Sequence, residues 1–130
     1  MYEWVEHTAE VELHVAAESR EAVFAEALAA FAELVSRDDR GERVEHEVTA
    51  EAQDDATLLA AWLDELVFLA ETEDFVPERL ERLQLDGTRL RAVVAGHRGR
   101  PAHLVKAVTY HGLEVARNGD VWRARVVLDV

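Results

Sequence analysis

The sequence predicts an α+β fold in one domain, residues 1–130: an antiparallel or mixed sheet with two helices packed on it, in the order β-α-β-α-β-β-β-β. Three observations predict it. Residues 10–16 alternate apolar and polar with a period of two, as a half-buried strand does. Two later stretches carry broad apolar stripes at helical spacing. After the second of them the chain turns to short alternating runs punctuated by Asp86-Gly87 and Asn118-Gly119, the dipeptides most typical of tight hairpins.

The elements follow in order. In Glu10–Ala16, Val11, Leu13 and Val15 face one way, and Glu10, Glu12 and His14 the other, so Glu10 opens the strand on its polar face. Ser19 is suited to cap the first helix, with Glu21 in its first turn, where the helix dipole favours negative charge. Val23, Phe24, Ala27, Leu28, Phe31, Leu34 and Val35 form its stripe, and it ends near Arg37. Residues 43–52 read as a second, less regular strand. Asp54 or Asp55 caps the second helix, whose band includes Leu58, Leu59, Trp62, Leu63, Leu66, Val67 and Leu69. It gives way at residues 71–74, and Pro77 blocks its resumption. Residues 79–85 and 88–95 flank the first hairpin turn. An irregular, locally basic link, residues 96–103, precedes the last two strands, and the final one ends at Asp129-Val130.

Composition narrows the function classes. Hydrophobic residues make up 49% of the chain, enough for a real core. There is no cysteine, which removes disulfides, thiol nucleophiles and sulfur-built zinc sites and fits a reducing compartment. The formal net charge is −13, which argues against autonomous binding to nucleic acid or to an anionic membrane; plain solubility or a salt-adapted host also accounts for it. No apolar run approaches the roughly 20 residues of a membrane span, and the first residues lack a signal pattern, so a cytoplasmic location is expected.

The familiar catalytic motifs are missing. There is no phosphate loop, zinc-protease helix, nucleophile elbow or dinucleotide fingerprint, and Ser19 and Ser36 sit at helix ends rather than as nucleophiles. The six histidines are scattered, with no helical pair four residues apart. His14 and His46 read as solvated strand positions, while His7, His103 and His111 flank the proposed site. The sharp reading concerns oxygen donors. Asp129 and the carboxylate of Val130 end one strand, and Glu10 begins another. If the first and last strands meet, these groups repel one another unless a divalent cation relieves them. Oxygen-only donors favour calcium, magnesium or manganese over zinc. The bland alternative is a pair of solvated strand ends. Arg98 and Arg100, with Lys106 just beyond, stand out on so acidic a chain, either as a solvated loop or as a contact for phosphate or an acidic surface.

His7-Thr8-Ala9-Glu10, Trp62-Leu63-Asp64-Glu65-Leu66, Lys106-Ala107-Val108-Thr109-Tyr110-His111 and the closing Val127-Leu128-Asp129-Val130 together resemble the archease family, over nearly the whole chain and in the right order. The resemblance implies a small α+β protein that is not itself an enzyme. It implies an activator of the GTP- and manganese-dependent RNA ligase that joins 3′-phosphate or 2′,3′-cyclic phosphate ends to 5′-hydroxyl ends in tRNA splicing or RNA repair. It implies that the helper promotes guanylylation of the ligase and multiple turnover. It also implies a bound divalent cation, calcium foremost, with Glu10, Asp129 and Val130 as ligands. The family usually has Asp where this chain has Glu10; the extra methylene must be absorbed by the ion or the side chain. A basic residue ahead of the Lys-Ala-Val-Thr-Tyr motif is implicated in activation, and Arg98 matches it best. Two other readings stand beside this one: a metal-dependent phosphoester hydrolase acting alone, and a metal-free interaction module.

Overall fold

The computed structural model describes residues 1–6 and 9–130. The expected elements are present in the expected order, preceded by one strand that the sequence reading did not assign. Strands are β1 (Tyr2–Glu6), β2 (Glu10–Ala17), β3 (Arg43–Glu51), β4 (Phe75–Asp86), β5 (Arg89–Arg98), β6 (Ala107–Asn118) and β7 (Val121–Asp129). Helices are α1 (Arg20–Val35) and α2 (Asp55–Thr72). All pairings are antiparallel, and the strands divide into two sheets rather than one. One sheet runs β1-β2-β7-β6 and the other β3-β5-β4. Each helix touches both sheets, α1 through β2 and β4 and α2 through β6 and β3. That placement explains the wide apolar bands, because a helix packed on two sides buries more than a single stripe.

The helix starts follow local chemistry. The Ser19 hydroxyl accepts the N–H of Ala22 at 3.1 Å. Asp54, not Asp55, caps α2, accepting the Thr57 N–H at 2.8 Å while the Thr57 hydroxyl accepts the Asp54 N–H. Between the helices, the fully buried Trp62 donates its indole N–H to the carbonyl of Phe24 at 3.0 Å. A single hydrophobic cluster joins Leu13, Val126 and Leu128 of one sheet, Val48, Ala92 and Val94 of the other, and both helices.

Several details differ from the sequence reading. The hairpin loops are Gly87-Thr88 and Gly119-Asp120, one residue later than Asp86-Gly87 and Asn118-Gly119 suggest; Asp86 pairs Arg89 and Asn118 pairs Val121. Only the glycines have positive φ, +61° and +63°, as a two-residue turn with glycine in first place requires. Strand β5 continues to Arg98, taking in residues assigned to the irregular link, and His97 is buried with its Nδ1 3.2 Å from the Gly41 N–H. Strand β4 begins at Phe75 and absorbs Pro77 at a bulge. His46 is not a solvated position. It packs edge-on against Phe75, ring centroids 4.6 Å apart, because it lies on the same face as Val48.

Candidate metal centre

Alternation sets which groups meet at the end of the first sheet. Leu13, Val15, Ala124, Val126 and Leu128 are buried against the helices. That fixes the other set, Glu10, Glu12 and His14 on β2 and Arg125, Val127 and Asp129 on β7, on the opposite face. The register pairs Val11 with Leu128 and Glu10 with Asp129. Directly opposed residues of an antiparallel pair have Cβ atoms about 4.5–5.5 Å apart on one face. A slip of either strand by one residue would drive its own carboxylate into the core, so the apolar pattern also enforces the acidic pairing.

Main-chain bonds hold this corner. The Val130 N–H donates to the Ala9 carbonyl at 3.2 Å, and the Lys106 N–H donates to the Asp129 carbonyl at 2.8 Å. Ala107 pairs Asp129 from the other side, so Asp129 is fixed between β2 and β6. Glu10 and Asp129 are both half-buried. One step inward, the Glu12 carboxylate is only 13% exposed and accepts from Arg125 Nη2 at 2.9 Å, with His14 Nε2 at 3.0 Å. This cluster was not foreseen. Glu12 and Arg125 are 113 positions apart, and only the strand register brings them together.

Among the described residues, no three histidine or acidic side chains gather around one point. A cation here would therefore be held by Glu10, Asp129 and an oxygen of Val130, with water completing its shell. These are hard oxygen donors only, which fits calcium, magnesium or manganese.

The other sequence-derived positions scatter. His7 lies outside the described residues. Lys106 is exposed beside the Asp129 carbonyl. His103 is exposed in the loop that lies along α1 and α2, beside Val35 and Ala70. His111 is exposed on a bulge of β6, where residues 110–113 stand opposite the single Val126. Gly112 has φ +69° there, and the Arg125 guanidinium lies where a side chain would go. Arg98 ends β5 in the other sheet, tied to Glu42 by a backbone bond of 2.8 Å and an ion pair of 3.0 Å. Asp64 of the second helix accepts the Val108 N–H. Burial raises its carboxyl above the usual carboxylate range, and the Val108 N–H offsets that only in part.

Two antiparallel sheets sharing two helices, with the first long strand closed against the last and two carboxylates opposed at their ends, define a class of small α+β proteins. The chain belongs to the archease protein family, whose model matches residues 2–130. It is 33% identical over 139 residues to the archease of Pyrobaculum neutrophilum, covering 99% of this chain and 95% of that protein. Its fold is similar to the solution structure of a Methanobacterium thermoautotrophicum protein, with TM-score 0.70, 27% identity and coverage of 99% and 98%. It is also similar to the crystal structure of an archease, a possible chaperone, from Thermotoga maritima, with TM-score 0.69, 25% identity and coverage of 100% and 98%. Among the described residues no helix is long and apolar enough to cross a membrane.

Proposed function

We propose that this chain is a cation-binding accessory protein that activates a GTP- and manganese-dependent RNA ligase in the cytoplasm, in tRNA splicing or RNA repair. The observation that supports it best is the register that sets Glu10 opposite Asp129, with Val130 bonded to Ala9 beside them. Glu10, Asp129 and Val130 would hold a divalent cation, calcium foremost, with magnesium or manganese as the other choices. When bound, the ion would relieve the repulsion between the carboxylates and present positive charge at the corner of the sheet.

The chain's own residues do the rest. Strands β2 and β7 orient the two carboxylates, and the Glu12–Arg125 pair keeps a third carboxylate engaged elsewhere. A net charge of −13 suits a protein that docks on a basic RNA-binding enzyme instead of competing for its RNA. Lys106, exposed at the same corner, and His7, His103, His111 and Arg98 are the side chains proposed to contact the partner. The ligase histidine takes the nucleotide from GTP and pyrophosphate leaves; the accessory protein supplies no nucleophile and acts by arranging the ligase for that transfer.

The test is guanylylation of a cognate ligase with GTP and manganese, with and without this protein. The parent should raise the rate and the number of turnovers, and Glu10→Ala and Asp129→Ala should lose most of that gain. Variants that stimulate as well as the parent, or a parent that does not stimulate, would sink the proposal.

A further inference from the structure

Among the described residues, the exposed large hydrophobic side chains include Phe68, Leu104 and Tyr110, each more than half exposed. A single one needs no explanation, but a cluster of them marks an interaction site. These three lie along one seam, where α2 passes the chain that runs from residue 104 into β6.

Helical spacing and two contacts place them. Asp64, Phe68 and Glu71 follow one another along one side of α2, at intervals of four and three residues. At one end of this row Asp64 accepts the Val108 N–H. At the other, Glu71 shares a small cleft with Leu104. Phe68, midway between them, therefore borders the segment between Leu104 and Val108, which holds the exposed Lys106. Tyr110 continues the seam past Val108, where β6 leaves its pairing with β7. The seam also meets the carboxylate corner, because the Lys106 N–H bonds the Asp129 carbonyl at 2.8 Å.

Charge selects the occupant. Helix α2 carries Asp55, Asp64, Glu65 and Glu71 and neither arginine nor lysine. Arg20 pairs Asp55, and among the described residues no cation pairs the other three. An exposed apolar row rimmed by such carboxylates suits a partner that offers an apolar recess among arginines or lysines. A second copy of this chain fits poorly, since a two-fold contact would set the carboxylates of one α2 against those of the other. We propose that the RNA ligase docks on this seam, with Phe68 and Leu104 seated in an apolar recess of the ligase and Glu65 and Glu71 facing its basic rim. The proposal rests on the reading of this protein as an activator of that ligase.

Binding of the protein to an immobilised cognate ligase, in GTP and manganese, tests it. Phe68→Ala and Leu104→Ala should each raise the dissociation constant about 10-fold. Glu65→Gln and Glu71→Gln should slow association at low salt, and the difference should fade as salt is added. Val121→Ser, which alters an exposed apolar side chain at the β6–β7 hairpin, should bind as the parent does. All five positions are exposed, so every variant should unfold close to the parent. A parent that binds and stimulates the ligase, with Phe68→Ala and Leu104→Ala binding equally well, overturns the inference and leaves the activator reading standing. A parent that sediments as a dimer, dissociated by Phe68→Ala, also overturns it, because a second copy would then occupy the seam. A parent that neither binds nor stimulates the ligase removes the activator reading, and this inference with it.

Discussion

Replacing Glu10 by glutamine should reverse the order of stability between parent and variant according to whether a divalent cation is present. Glu10 and Asp129 are directly opposed and half-buried. Without an ion, two like charges about 5 Å apart repel by about 0.8 kcal/mol at the permittivity of water. Glutamine keeps the shape and removes one charge. The metal-free variant should therefore be as stable as the parent or up to about 1 kcal/mol more stable. With calcium at about 100 times its dissociation constant, the parent gains about 2.7 kcal/mol. For a chain of this length that is a rise in Tm of about 10 °C. The variant gains far less, since an amide oxygen is neutral. Thermal unfolding followed by circular dichroism, in chelator and then in excess calcium, reads both arms. Equal rises in the two proteins would show that Glu10 is not a ligand, and no rise in either would refute the reasoning altogether.

Shortening the same side chain, Glu10→Asp, should tighten cation binding several-fold by calorimetry, because it removes the methylene that the site must absorb; weaker binding would mean that the corner is shaped to Glu. Trp62→Phe should cost about 2–3 kcal/mol in urea unfolding. It loses the bond to Phe24, worth about 1 kcal/mol, and leaves a gap of roughly 40 Å³ at about 24 cal/mol per Å³, with lost transfer energy added. A loss below about 1 kcal/mol would show that the helices repack around it. The Tyr2 phenol bonds Glu33, and its pKa is pushed up to about 12, first by that bond, then by burial and by the charges of Glu33 and Glu26. The folded state therefore favours the protonated phenol. Its contribution is whole below the ordinary value of 10.0 and is lost as pH rises from there to about 12. Over that window the parent's denaturation midpoint should fall faster than that of Tyr2→Phe, and parallel curves would contradict the assignment.

Periodicity made the helices legible, since Val23 to Val35 and Leu58 to Ala70 bury the residues that their spacing selects. The polar face of β2 was legible for the same reason. Strand β1 was missed, although Tyr2-Glu3-Trp4-Val5 alternates at its start; five residues beside the chain end give a weak signal. Division into two sheets could not be read, because alternation reports that a strand has a buried face and not which strand it adjoins. The same limit hid the Glu12–Arg125 pair, a product of register. The bulge at residues 110–113 was hidden differently: Gly112 signals a break, but only the pairing of Thr109 with Val127 and of Glu114 with Arg125 shows how much chain it holds.

Diffraction from crystals grown with manganese, measured at a wavelength where the metal scatters anomalously, tests the shared cation most directly. The expected result is a peak between Glu10, Asp129 and Val130, with carboxyl oxygens about 2.0–2.6 Å from it. Both carboxylates turned to solvent with no peak between them would contradict it.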